Sequence, residues 1–581
     1  MATFKAPVRD IQFVLNDVLN INELTEIERF AEATPDIVNG VIEEAAKMIE
    51  EEIAPLNHAG DEIGCKYADG EVDVPPGYVE AYKLFVESGW VGLANEPDFG
   101  GQGLPFTLSK TVGEMVCAAN VAFELYIGLT QDCYEAILAS GTEEQKQTYC
   151  HKLATGEWTG TMCMTEPQAG SDVGAVKTKA TPQEDGSYSI DGGKIFITSG
   201  EHKMADNIIH FVLARLPDSP PGVKGLSTFV VPKFLVNEDG SLGERNAVRA
   251  VSIEEKMGMH GSVTCTMAFD GAKGWLVGQP NQGIQNMFVM MNLARIMVGF
   301  QGLGQCELAT QNAIAYAKER VQGKAFNGGT AIVEHPDVRR TLMHMKAITE
   351  GGRVLAYEIS KNMDLSHHHP DESVREAAQD WVELMTPIHK AFLTDSGVEL
   401  ASMAIQVYGG HGYISEHGIE QIARDAKICC LYEGTNGIQA MDLARRKLLM
   451  HNGRLPARFF EAARATVAGA DAELSWISAP LAKALDELEA TTGWVQNSFK
   501  GDPSDAGAGA ADYLRAFALT MLGHNWLRMV QAVADRNDDF AAAKRATARF
   551  FAERLLPEVA ARCEMAKAGS ESMMALSAEA L

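Results

Sequence analysis

Apolar residues along this chain recur first at a helical period, then at a period of two, then at a helical period again. From residue 35 to 53, Ile37, Val41, Ala45, Met48 and Ile49 fall near a 3.6-residue period. This predicts an amphipathic helix with Asp36 near its start as a cap. Residues 87–105 break the pattern, and Gly100, Gly101 and Gly103 mark a loop. Helical character returns over 108–153. Near Gly156 the period changes. Residues 187–198, SYSIDGGKIFIT, read as two alternating runs around Gly192-Gly193, which predicts a hairpin. Residues 208–216, 226–231 and 264–269 read as further strands. From Gln285 the pattern is helical, with Ile296, Phe300 and Leu303 on one face. The last stretch is Ala-rich and helical, with a Pro/Gly/Asp-rich break at 501–509. No internal repeat is seen. The expected architecture is mainly α with a central β domain. It comprises an arm (1–35), a helical domain (36–155), a β domain (156–275), a helix bundle (280–452) and an additional helical domain (455–581).

Composition narrows the function. Hydrophobic residues make up 46% of the 581, which suits a soluble protein with a large core. Lys and Arg total 50 against 78 Asp and Glu, a formal charge of -28. Such a field repels nucleic acid and anionic lipid, so no nucleic-acid partner is expected. An anionic ligand then needs a locally basic or dipole-lined pocket. The 10 cysteines are scattered without a CxxC pair, and adjacent Cys429 and Cys430 suit a disulfide poorly. Reduced thiols in a cytoplasmic enzyme are expected. The first residues carry no secretory pattern. No charge-free apolar run of about 18 residues stands out, so no stable membrane anchor is expected. His367-His368-His369 read as a solvated loop, and no metal is expected. Gly302 and Gly304 follow no strand, which favours close helix packing over a dinucleotide fingerprint.

Three segments carry candidate chemistry. In MCMTEPQAGSDVGAVKTKA (162–180), Gly170, Ser171 and Asp172 form a tight polar turn. Its N–H groups and hydroxyl can hold an anion or a ring carbonyl; an ordinary turn is the alternative. In residues 406–442, Gly409, Gly410 and Gly412 break one helix, and Glu433-Gly434-Thr435-Asn436-Gly437 breaks another after the apolar run Cys-Cys-Leu-Tyr. A carboxylate after such a run is expected to be partly desolvated, which makes it a better proton acceptor. A solvated helix-terminal Glu is the alternative. In ERVQGKAF (319–326), Arg320 suits a pyrophosphate or a helix C-terminus.

In order and spacing these segments resemble the acyl-CoA dehydrogenase family. TEPQAGSDV is similar to that family's TEPGAGSD stretch, and YEGTNGIQ to its YEGTSQIQ stretch. GWVGLANEPDFGGQGLP and GTEEQKQTYCHKLATGEW also resemble family segments. The likeness covers roughly residues 30–450. The arm, the C-terminal block, EHPDVRR and ERVQGKA resemble a longer bacterial subgroup whose substrates include short and medium acyl chains, 3-(methylthio)propanoyl-CoA among them.

The resemblance implies FAD as cofactor, an acyl-CoA thioester as substrate and α,β-desaturation as reaction. It assigns the catalytic base to Glu433, whose own N–H would polarise the thioester carbonyl. Some relatives carry the base next to the position of Arg295; Ala294 there cannot accept a proton. The FAD contacts it implies are Met162, Met164, Thr165, Gly170, Ser171, Phe196, Thr198, Arg320, Gln322, Gln406, Gly409, Gly410, Thr435 and Asn436. Phe196 stands where the family has Trp, and Gly437 where it has Gln. Ser171, Asn292, Arg295 and Gly434 are implied on the substrate side. Arg320 and Gln322 match residues that reach a neighbouring subunit's FAD, so a homodimer is expected, with an electron-transfer flavoprotein as acceptor. An acyl-CoA oxidase and a DNA-associated flavoprotein are the alternatives; the second needs a basic face, against the charge found here.

Overall fold

The structure, a computed structural model, describes residues 2–581. They form two compact units: residues 2–46, 105–118 and 298–581, and residues 47–104 and 119–297. One division falls between Ala118 and Ala119, close to a break inside the helix Phe106–Ser140. There Asn120 leaves helical geometry (φ -162°, ψ 88°), and its side-chain oxygen accepts from the N–H of Phe123 at 3.1 Å.

The second unit contains the β domain. Its main strands are β1 (Thr159–Cys163), β2 (Lys179–Pro182), β3 (Tyr188–Thr198), β4 (Ile208–Arg215), β5 (Leu226–Pro232), β6 (Val248–Ile253) and β7 (Thr264–Val277). They pair in the order β6-β7-β3-β2-β4-β1, and β5 pairs with both β7 and β4. The double pairing closes β7-β3-β2-β4-β5 into a ring, which removes most free edges. All of β5 is buried, including its polar Ser227 and Thr228, whose hydroxyls find partners: Ser227 Oγ accepts from Asn281 N at 2.9 Å and Thr228 Oγ1 donates to Val277 O at 3.1 Å. Trp158, Phe211, Val230, Met287 and Met290 belong to its core.

The sequence pattern misread part of this domain. Residues 187–198 are one continuous strand, not a hairpin. Gly192 and Gly193 make no turn. A Cβ on Gly192 would lie 2.6 Å from Thr178 Oγ1, so glycine there admits a neighbouring backbone.

The first unit is helical. Gly302 and Gly304 lie in the helix Gly283–Glu319, and a Cβ on either would strike backbone: Leu393 C at 2.6 Å for Gly302, Ala118 N at 2.7 Å for Gly304. Close helix packing is therefore their role. In the C-terminal block, the break is shorter than expected. The helix Pro503–Ala532 starts behind the Asp502 cap and runs through Gly507 and Gly509, and Ala566 O would lie 2.1 Å from a Cβ on Gly509. The first predicted helix exists as Pro35–Met48, but its buried face is Val38, Ile42, Ala45 and Ala46. Ile37 is exposed, and Asp36 sits in the first turn rather than at the cap. His367 and His368 end the helix Pro336–His368 instead of forming a loop, and the His368 ring packs edge-on against Phe30.

A buried charge network joins distant segments of this unit. The Arg353 guanidinium donates to Glu114 Oε1 (2.9 Å), to Glu307 Oε2 (2.6 Å) and to Asp10. Lys544 donates to Asp10 and to Glu350 Oε2 (2.8 Å). The arm and the last helical block are thereby tied to the central helices by one set of ions.

Among the described residues two helices, Phe106–Ser140 and Gly283–Glu319, contain windows apolar enough to cross a membrane by length and composition, although neither holds a charge-free run of 18 residues. These windows are 89% and 78% buried, which marks them as core helices.

Candidate active site

The second unit supplies a polar loop and an outward-facing ring. Met162 lies half-buried on β1; Met164 and Thr165 follow, also half-buried. The chain is then anchored by Glu166. Its Oε1 accepts from Lys194 Nζ (2.9 Å), Thr178 N (3.0 Å) and Thr178 Oγ1 (2.6 Å). Its Oε2 accepts from Lys177 N (2.7 Å) and Gln168 Nε2 (2.6 Å). The ammonium and these donors hold the carboxyl down to about 2 despite burial. Beyond this anchor, Gly170, Ser171 and Asp172 are exposed, and Asp172 Oδ1 accepts from Gly174 N at 3.1 Å.

Phe196 sits in a bulge. The β3–β7 register shifts between Cys265 and Met267, so two residues of β3 oppose one of β7. Phe196 takes φ +59° there and its side chain is 61% exposed, although it lies within a strand. Thr198 is half-buried, and Ser199 follows with φ +55°. On the helix Gly283–Glu319, Asn292 is exposed while Ala294 and Arg295 are buried.

The first unit supplies the carboxylate. The helix Ile419–Cys429 stops, and the chain turns through Leu431–Thr435 into the helix Asn436–Asp442. Glu433 takes φ +55° and Gly434 φ +87°. A left-handed Glu costs about 1–2 kcal/mol, and such outliers persist where surroundings over-determine them. Here Gln439 Nε2 donates to the carbonyls of Glu433 and Gly434, both at 3.2 Å. Lys390 Nζ donates to Gly434 O at 2.9 Å. Thr435 caps the next helix, its Oγ1 accepting from Ile438 N at 3.4 Å. Asn436, expected as a flavin contact, turns its side chain inward. It donates to Asp395 Oδ1 (2.7 Å) and accepts from Lys390 Nζ (2.9 Å).

Elsewhere in this unit, Arg320 ends the helix Gly283–Glu319 half-exposed, and its carbonyl accepts from Ile332 N at 2.8 Å. Gln322 is exposed; its carbonyl accepts from His335 Nε2 at 3.0 Å. Gln406, Gly409 and Gly410 lie exposed where the helix Glu372–Tyr408 ends. Lys194 and Lys390 were missed by sequence reading, and Glu166 and Gln439 lie inside the quoted motifs without having been given a role. The available signal was a charge inside an apolar run, as in Ile388-His389-Lys390-Ala391-Phe392.

These residues fit a large planar cofactor with a phosphate tail. Neither Gly170 nor Gly410 has a positive φ, and a Cβ on either would meet nothing within 4 Å. The protein's own packing does not require glycine at these positions, and the open space beside the backbone leaves room for a ligand to approach it. The exposed Phe196 ring offers a flat apolar surface, and the 170–172 turn offers N–H groups.

Comparison with known proteins decides which family this is. Residues 39–157 match the acyl-CoA dehydrogenase N-terminal domain, 161–272 its middle domain and 281–448 its C-terminal domain; 459–577 match the acetyl-CoA dehydrogenase C-terminal-like domain. The chain belongs to the acyl-CoA dehydrogenase family. It is 41% identical to the 3-methylmercaptopropionyl-CoA dehydrogenase of Ruegeria pomeroyi over 96% of this chain and 97% of that one. It is 34% identical to the broad-specificity linear acyl-CoA dehydrogenase FadE5 of Mycobacterium tuberculosis, over 99% of each. Its fold resembles that of a Bacillus anthracis acyl-CoA dehydrogenase solved with FAD (TM-score 0.76, 20% identity, 92% and 89% coverage). As an acyl-CoA dehydrogenase the chain uses FAD. Within the second unit, the residues that would hold it are the 162–171 segment, Phe196 and Thr198.

Proposed function

We propose that the chain desaturates a short- or medium-chain acyl-CoA between Cα and Cβ, that 3-methylmercaptopropionyl-CoA is its first candidate substrate, and that Glu433 is the base. The observation that carries the base assignment is the strained, doubly held Glu433. Its backbone is left-handed, and the Gly434 carbonyl after it is gripped by two side chains. Ala294, buried and unable to take a proton, supports the same reading.

Bound FAD supplies the acceptor for the hydrogen leaving Cβ. The chain's part is the proton. The Glu433 carboxylate takes it from Cα, an acid too weak to ionise unless the thioester oxygen is stabilised. The Glu433 N–H is the protein donor for that oxygen, and a donor so placed is worth about 10²–10³ in rate.

The substrate reading rests on the likeness to the Ruegeria pomeroyi enzyme over nearly the whole chain. A homodimer is supported by the exposed Val321 and Phe326 beside Arg320, Phe326 being 100% exposed. An electron-transfer flavoprotein is the proposed acceptor. The test is a dye-coupled panel of 3-methylmercaptopropionyl-, butyryl-, hexanoyl- and palmitoyl-CoA. The highest kcat/KM is expected among the first three; a preference for palmitoyl-CoA overturns the chain-length reading.

A further inference from the structure

Lys390 lies mid-way along the helix Glu372–Tyr408 and is fully buried beside Ile388, Ala391 and Leu393. An ammonium there costs several kcal/mol of lost hydration unless it is paired. Its two recorded acceptors belong to one turn: Gly434 O and Asn436 Oδ1, both at 2.9 Å. The Asn436 amide then donates back to the helix that carries Lys390, to Asp395 Oδ1 (2.7 Å), Thr394 Oγ1 (3.0 Å) and Ala391 O (3.2 Å). The turn is stapled to that helix on one side and to Gln439 on the other.

We infer that Lys390 is a positioning residue for the base, stapling the 433–436 turn and holding a positive charge within reach of the Glu433 carboxylate. The inference rests on Glu433 being the base. The titratable groups that face Lys390 are Cys429, Cys430, Glu433 and Asp395. Burial pushes the Cys429 thiol up to about 12 and raises Cys430, so both are neutral in ordinary buffers. Asp395 is engaged with Asn436. Glu433 is the other carboxylate in the set, and a nearby cation keeps a carboxylate ionised to lower pH. Burial also pulls Lys390 itself down to about 8, so its charge is lost in mildly alkaline solution. Arginine at this position keeps its charge there.

The test uses the FAD-loaded enzyme and its Lys390→Met, Lys390→Gln, Lys390→Arg and Glu433→Gln variants, with kcat and KM followed against pH. K390M and K390Q are expected to lose about tenfold or more in kcat at near-constant KM, because small misplacement of a reacting group is costly. Their acid limb should move upward by roughly half a unit or more, since the cation is gone. K390R should recover most of the rate and lose the fall near pH 8. Wild-type kcat and an unmoved acid limb in K390M and K390Q overturn the inference. An equal loss in K390R and K390Q, without a limb shift, also overturns it, because packing alone then explains both. If K390M does not retain FAD, the K390Q and K390R pair decides by the same criteria. E433Q separates the two levels. Full activity there refutes the base itself, whereas an inactive E433Q beside unaffected Lys390 variants refutes only the role of Lys390.

Discussion

Glu166→Gln tests whether the loop between Met164 and Asp172 is held by a buried ion pair. Glu166 and Lys194 have side chains only 4% and 0% exposed, with 2.9 Å between Oε1 and Nζ. The carboxylate accepts five hydrogen bonds, three at Oε1 and two at Oε2. A Gln amide nitrogen placed at the less crowded oxygen faces two donors, Lys177 N–H and Gln168 Nε2, and bonds to neither. Hydrogen bonds to a charged group contribute about 1.5–3 kcal/mol each, and stranding one partner of a buried pair costs about 3–5 kcal/mol. A loss of roughly 4 kcal/mol is therefore expected, a large share of the about 5–15 kcal/mol typical of a folded protein. The loop between Met164 and Asp172 should loosen and FAD should dissociate more readily. Urea unfolding and FAD retention on gel filtration read the two effects. Glu157→Gln, which breaks the exposed pair with Lys152, is the control and should cost under about 1 kcal/mol. The pH dependence has a fixed sign. The folded value of Glu166 is about 2 against 4.5 unfolded, so its stabilisation is present above pH 4.5 and is lost as pH falls through 2. If E166Q unfolds like the control and keeps its FAD, the clamp is not what orders this loop.

Other substitutions probe separate parts of the account. Arg353→Met should destabilise by about 3–5 kcal/mol in urea, because it removes the guanidinium shared by Asp10, Glu114 and Glu307 in the interior; a change under 1 kcal/mol contradicts the network's role. Asp364 caps the helix Phe106–Ser140, accepting from Phe106 N (2.7 Å) and Thr107 N (2.9 Å), and burial raises it from 3.8 to about 6. Its contribution is full below pH 3.8 and lost as pH rises through 6, about 3 kcal/mol at 1.36 kcal/mol per unit. Asp364→Asn should flatten unfolding free energy over that window, and an unchanged slope speaks against it. Gly170→Ala should leave the melting temperature of the apoprotein unchanged and weaken FAD binding, since the added Cβ meets no protein atom; unchanged FAD affinity removes the argument that this glycine admits the cofactor.

The sequence disclosed elements better than the contacts inside them. Helical and strand periods located the β domain because burial of one face dictates the period. The pattern failed where burial is two-sided or where glycine serves a neighbour. Gly192 looked like a turn but admits Thr178. The buried face of Pro35–Met48 was read one residue off because Ile37 and Val41 are apolar yet not fully buried. The Arg353 and Glu166 networks join residues far apart in sequence, and no local pattern announces them. Glu433 was visible through its motif, which also contains Gln439, but Lys390 comes from elsewhere in the chain and no local pattern links it to that turn.

The central claim is that Glu433 takes the α-proton, and anaerobic mixing with substrate tests it most directly. Wild-type enzyme mixed with 3-methylmercaptopropionyl-CoA or butyryl-CoA should bleach its flavin absorbance rapidly. Glu433→Gln should bind FAD equally, take up the thioester and bleach about 10²–10⁴-fold more slowly, the range a general base supplies. Bleaching at the wild-type rate in that variant contradicts the account.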